Sequence, residues 1–206
     1  VKTRQRRLPR RIREQQMLDA AIVVFSRGDY HTVSVEEIAA VAGTSKPTVY
    51  QYMGSKEGIF TACVSREADR LVAAVRSAVH DPMAPPGEDP LNRGMRAFFA
   101  FVTANRDSWT VLYRRAALQG EPFARETART RDRVTAEVAA LISGCAHTAL
   151  SSQDADLLAR IAVSTADAFA DWLLEHPEEC PESMADQVTE LTWSHLRNLC
   201  GPPVGA

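Results

Sequence analysis

Within nine residues, Thr44-Ser-Lys-Pro-Thr-Val-Tyr-Gln-Tyr52 gathers three aliphatic hydroxyls, a lysine, a glutamine and two tyrosines. These groups can bind anions and base edges. Hydroxyls and a lysine at the start of a helix can hold phosphate oxygens, assisted by the positive end of the helix dipole. Gln51 is able to read an adenine edge, and Thr44, Thr48 or Pro47 can touch a thymine methyl. Lys56, together with Ser34 and the amides that Ser34 caps, would hold the flanking phosphate backbone. The DNA-binding set read from the sequence is therefore Ser34, Thr44, Ser45, Lys46, Pro47, Thr48, Tyr50, Gln51, Tyr52 and Lys56.

Other chemistries lack their residues. There is no glycine-rich phosphate loop, no HExxH and no nucleophile elbow, so the sequence does not read as an enzyme. Cys63, Cys145, Cys180 and Cys200 form no CxxC pair and read as inert thiols in a reducing cytoplasm. His80, His147 and His195 show no metal-ligand spacing, so neither a metal nor a cofactor is expected.

The elements that must position the basic, hydroxyl-rich stretch follow from local signals. Val1 to Leu8 is a basic arm. A first helix is predicted from Pro9 or Arg10 to Arg27, with Met17, Leu18, Ala21, Val24 and Phe25 on one face. Gly28 suits a left-handed helix stop. Ser34, three residues before Glu37, makes a capping box for a second helix that turns Val35, Ile38 and Ala39 inward. Gly43 makes the turn, and Lys46-Pro47 opens a third helix, where a first-turn proline costs no hydrogen bond. This is a helix-turn-helix over about 34–53, the arrangement that offers one helix to a major groove.

Ser55 caps a fourth helix reaching about His80, followed by a loop, Asp81 to Pro90, with four prolines. Further helices are predicted near 91–104, 106–119, 122–146, 153–176 and 182–199. The chain of 206 residues reads as all-α, with about nine helices: a three-helix DNA-binding domain at 1–58 and a larger helical domain at 59–206. Its net charge of −2 conceals an asymmetry, +4 over residues 1–58 and −6 over the rest. A basic head on an acidic body suits a protein whose first domain alone meets phosphates. No apolar run is long enough to span a bilayer, and the arginine-rich start lacks the apolar segment of a signal peptide; a cytoplasmic protein without a membrane partner is expected.

Residues 10–65 resemble the TetR family of bacterial transcriptional regulators. The likeness runs through Met17-Leu-Asp-Ala-Ala21, Phe25 to Gly28, Ser34 to Ala39, Gly43 to Tyr52 and Ser55-Lys-Glu-Gly-Ile-Phe60, with Met53 where the family usually has phenylalanine. It implies a homodimer on a palindromic double-stranded DNA operator, usually as a repressor. It also implies a small-molecule pocket in the second domain and a four-helix dimer interface built from the last two helices. Ligand binding would shift the fourth helix and spread the heads from the 34–36 Å groove spacing. To do so the ligand must favour the spread state.

Apolar residues suited to such a pocket are Met95, Phe98, Phe99, Phe101, Trp109, Tyr113 and Phe169, although core and pocket share this composition. Arginines at 93, 96, 114, 115, 125, 129, 131 and 133 could neutralise an acidic ligand if a few point inward. The last two helices carry wide apolar faces, with Leu158, Ile161, Thr165 and Trp172 on one and Val188, Leu191 and His195 on the other. Such faces serve either a symmetric interface or the chain's own core, and the resemblance favours the interface. Two rivals keep the DNA head: an architectural or recombinase-type protein without a sensor, and a regulator controlled by a protein partner instead of a small molecule.

Overall fold

The computed structural model describes residues 9–111, 123–146 and 150–200, with 123–124, 126–127 and 192–200 described by backbone alone. Among the described residues the secondary structure is helical throughout, with no strand. The helices are α1 (Arg10–Arg27), α2 (Val35–Val41), α3 (Lys46–Met53), α4 (Lys56–Val79), α5 (Pro90–Ala104), α6 (Arg106–Trp109), α7 (Phe123–Cys145), α8 (Ser152–Glu175) and α9 (Pro181–Cys200). None of the described helices is long and apolar enough to cross a membrane. The arm Val1 to Leu8 lies outside the described residues, as does most of the helix predicted at 106–119. What is described of that helix is the short α6, widening at Thr110 and Val111 into a π turn.

The chain forms two compact units, Val1–Glu67 with Asp107–Thr127, and Ala68–Arg106 with Ala128–Ala206. The division falls inside α4, beyond residue 58, because the first turns of α4 belong to the core of the head. Ile59, Phe60, Cys63 and Val64 are all buried there. The Cys63 thiol points at the Leu18 carbonyl of α1, 3.7 Å away, and burial pushes its pKa up to about 12, so it stays an unreactive thiol. Phe60 makes T-shaped contacts with Phe25 and Tyr30, with centroids 5.1 and 5.5 Å apart.

Beside this apolar core lies a charged clamp. Arg66 donates to the Gln15 carbonyl at 3.3 Å and the Gln15 side chain at 3.1 Å, and pairs with Asp19 at 2.8 Å and the fully buried Glu67 at 2.7 Å. It ties α4 to α1. A buried carboxylate survives only where such partners compensate for lost hydration.

Gly28 corrects an expectation. Its backbone is extended (φ −134°, ψ 165°), not left-handed. A Cβ there would come within 3.0 Å of Val33, so the glycine admits a close approach of the following turn, in which the Asp29 carbonyl accepts from the amides of Thr32 and Val33.

In the second unit α9 packs along α5 and α8. Ile142 of α7 and Ala159 and Ala162 of α8 form a small core that Leu91 and Leu158 help to cover. Four of the arginines considered for an acidic ligand have structural partners instead. Arg93 donates to the Ala78 and Val79 carbonyls at 3.0 and 2.9 Å, satisfying the open C-terminal end of α4. Arg96 pairs with Asp186 at 2.8 Å, Arg131 with Asp167, and Arg133 with Asp69. Arg125 and Arg129 are exposed, while Arg114 and Arg115 lie outside the described residues.

Burial pushes the Asp167 carboxyl up to about 6 from 3.8, and Arg131 opposes part of that rise. A raised folded-state pKa means the folded chain binds the proton more tightly than the unfolded chain does. Stability of the second unit is therefore expected to fall as pH rises from about 4 through 6. Thermal midpoints across that range should show a smaller decline in Asp167→Asn; an equal decline would place the titration elsewhere.

Candidate nucleic-acid interface

Local capping builds the interface. The Glu37 amide donates to the Ser34 hydroxyl at 3.2 Å, and the Ser34 amide donates to the Glu37 carboxylate at 2.9 Å, which closes the capping box of α2. At the other end of α2, the Thr44 amide reaches the Ala39 carbonyl at 2.9 Å and the Gly43 amide reaches that of Ala40 at 3.1 Å. Gly43 takes φ +61°, the left-handed value this Schellman turn requires. Ser45 then caps α3 by accepting the Thr48 amide at 3.4 Å, while its hydroxyl lies 2.8 Å from that of Thr48. Pro47 occupies the first turn of α3.

Val49 is wholly buried and anchors α3 to the head. Pro47, Tyr50 and Gln51 are exposed, whereas Thr44, Lys46, Thr48 and Tyr52 are half-buried. Ser34 and Ser45 use an acceptor lone pair for capping and keep further hydrogen-bonding capacity. Lys46 forms an ion pair with Glu36 and lies 5.7 Å from the centroid of the Tyr50 ring. Lys56 lies 4.5 Å from the centroid of the Tyr30 ring, and partial burial lowers its pKa. The Arg10 guanidinium stands 5.5 Å from the Tyr52 ring, linking the start of α1 to α3. The partners Glu36, Arg10 and Tyr30 were not in the sequence-derived set. Each stands at least ten residues from its partner, beyond the reach of helix periodicity.

The apolar groups considered for a small-molecule site divide between the units. Met95, Phe99 and Phe101 are buried in α5 and Phe98 is half-buried, all in the second unit with the half-buried Phe169 of α8. Trp109 is fully buried and groups with the first unit. Tyr113 lies outside the described residues.

On α8, Leu157, Ile161 and Trp172 are exposed by 57%, 47% and 39%, and on α9 Leu191 is exposed by 68%. Leu158 and Thr165 are half-buried. Val188 is wholly buried in the chain by itself, so it serves the protomer's own core and has no surface to give an interface. The His195 side chain lies outside what is described.

Two short helices joined by a left-handed glycine, the second opening on capped hydroxyls and exposing Tyr50 and Gln51, define a helix-turn-helix protein. Residues 17–63 match the family described as "Bacterial regulatory proteins, tetR family", and residues 88–195 match "Tetracyclin repressor-like, C-terminal domain". The chain belongs to the TetR family of transcriptional regulators.

Among its relatives, the HTH-type transcriptional activator FasR of Mycolicibacterium smegmatis is 28% identical over 195 residues, covering 94% of this chain and 87% of that protein. A TetR-like transcriptional regulator of known structure from Rhodococcus sp. RHA1 is 40% identical, covers 92% of this chain and 98% of that one, and superposes with a TM-score of 0.72. FadR from Bacillus subtilis, solved in complex with stearoyl-CoA, has a TM-score of 0.72 over 86% of this chain and 96% of that one. At 17% identity that last likeness is one of fold.

Proposed function

We propose that this chain binds a palindromic operator as a homodimer and is released by a small-molecule effector. The head, which includes the first turns of α4, reads the DNA, and the second unit binds the effector and dimerises. The observation that carries the reading is the start of α3, where capped hydroxyls and a lysine stand beside exposed Tyr50 and Gln51. Phosphate contacts from Ser34, Ser45, Lys46, Thr48 and Lys56 would set register, and Gln51, Thr44, Pro47 and the tyrosines would meet base edges and sugars.

The homodimer rests on the exposed apolar groups of α8 and α9. Leu157, Ile161, Trp172 and Leu191 leave an apolar surface that a second copy would cover with the same residues, as a two-fold interface requires. The effector site draws on Met95, Phe98, Phe101 and Phe169 within the second unit. Apolar lining suits a ligand with a substantial apolar part, and the stearoyl-CoA complex of the fold neighbour makes acyl-CoAs the first probes. The sign of regulation depends on where the operator lies relative to the promoter. Repression is the reading for an operator overlapping it, while the relative matched over most of this chain is named an activator.

Selection of bound sequences from a random DNA library at stated salt tests the reading. A palindrome with two half-sites is the expected result, and acyl-CoAs added to that complex should then release it. Enrichment of a single half-site would overturn the homodimer, and no enrichment would overturn base reading by α3.

Lys56→Ala is expected to weaken binding to operator and random duplexes alike. It should also flatten the dependence of log affinity on log salt by about 0.9, the slope of one phosphate contact. Anisotropy titrations across a salt series check this. An unchanged slope would leave Lys56 only its place on Tyr30.

A further inference from the structure

Lys46 is the only lysine or arginine between Arg27 and Lys56, so it is the one cation of the helix-turn-helix. It does not stand free. Glu36, exposed in the first turn of α2, takes its ammonium across the turn between α2 and α3. The neighbouring Glu37 carboxylate is held instead by the Ser34 amide in the capping box. Each charge stabilises the other: the Lys46 hydrogen bond lowers the pKa of Glu36, and the Glu36 hydrogen bond raises that of Lys46. A carboxylate and a phosphate offer an ammonium the same chemistry, a charged oxygen acceptor.

Resting on the DNA-binding reading above, we propose that Glu36 is an affinity-limiting residue of the interface, an internal competitor that occupies Lys46 in place of a backbone phosphate. Lys46 must leave Glu36 to reach DNA, and Glu36 is then left as an unpaired negative charge beside a polyanion. Part of the free energy of the phosphate contact is spent on that exchange. The head therefore holds DNA less tightly than its side-chain inventory implies. A smaller difference in effector affinity between the free and DNA-bound states then suffices to empty the operator.

A double-mutant cycle on the full-length protein tests this: wild type, Glu36→Gln, Lys46→Ala and the double variant, titrated against a random-sequence duplex and against the selected operator over a salt series. Glutamine keeps the size and removes the charge at an exposed position, and thermal midpoints measured alongside check that each variant is folded. Glu36→Gln is expected to bind both duplexes roughly two- to fivefold more tightly at low salt, the scale of an exposed ion pair. Lys46→Ala should cost more affinity, and more salt slope, in the Glu36→Gln background than in the wild type. Equal costs in both backgrounds would overturn the competition, as would unchanged affinity in Glu36→Gln. Wild-type protein that binds neither duplex would overturn the DNA-binding reading itself, and this inference with it.

Discussion

Phe60→Ala is expected to remove about 3–5 kcal/mol of stability from the DNA-binding head, the range for deleting a buried phenylalanine. Phe60 is 1% exposed and makes T-shaped contacts with both Phe25 and Tyr30. Truncation would remove its transfer free energy and leave a cavity beside two unsupported rings. The Tyr30 ring is also the surface on which Lys56 rests, so the effect passes from packing to the interface. Against a total stability of about 5–15 kcal/mol for a typical domain, a loss of this size is enough to populate the unfolded head. Urea denaturation followed by circular dichroism measures it, with Phe60→Leu as the milder control because it keeps more of the volume. A midpoint in Phe60→Ala close to the wild type would mean that the head collapses around the gap.

Gly58→Ala acts on backbone and is expected to cost about 1–3 kcal/mol, the usual range for overpacking. An added Cβ would lie 2.7 Å from the Met53 carbonyl oxygen, and that oxygen belongs to the last residue of α3. A backbone atom cannot rotate away as a side chain can. Relief must come from moving the end of α3 relative to the start of α4, where the Gly58 amide is held by Ser55 at 3.0 Å and the Ser55 amide by Met53 at 3.0 Å. DNA affinity should therefore fall further than stability does, because α3 carries Tyr50 and Gln51. Operator titration beside thermal unfolding separates the two effects. Loss of stability with full affinity would show that α3 keeps its place and the strain is absorbed elsewhere.

Much of the head was legible because its signals are local. Ser34 with Glu37, Ser45 with Thr48, and Ser55 with Gly58 each satisfy helix amides three residues away, a spacing visible in the chain itself. Gly43 marks its own left-handed turn. The periodic apolar residues Ile38, Val49, Ile59 and Phe60 are buried in turn. Less legible was Gly28, where the reason for glycine is the approach of Val33 and not a positive φ. Arg93 was equally opaque: in the sequence it is one of several arginines near aromatic residues, and in the fold its fork closes the end of α4. Val188 stood on an apolar helix face without saying whether that face looked inward or out.

By itself the sequence determined the helical class, most helix limits, the helix-turn-helix and its family, because these rest on contacts between residues one turn apart. Only the tertiary structure decided the partners across helices. Lys46 meets Glu36, Lys56 meets Tyr30, and Arg66 joins α4 to Gln15 and Asp19 of α1. Such pairs span 10, 26, 51 and 47 residues, and periodicity carries no information over those distances. Whether a charge is open to a ligand, spent on a neighbour or buried with a counter-ion depends on which helix faces pack together, and that is settled only when the core closes.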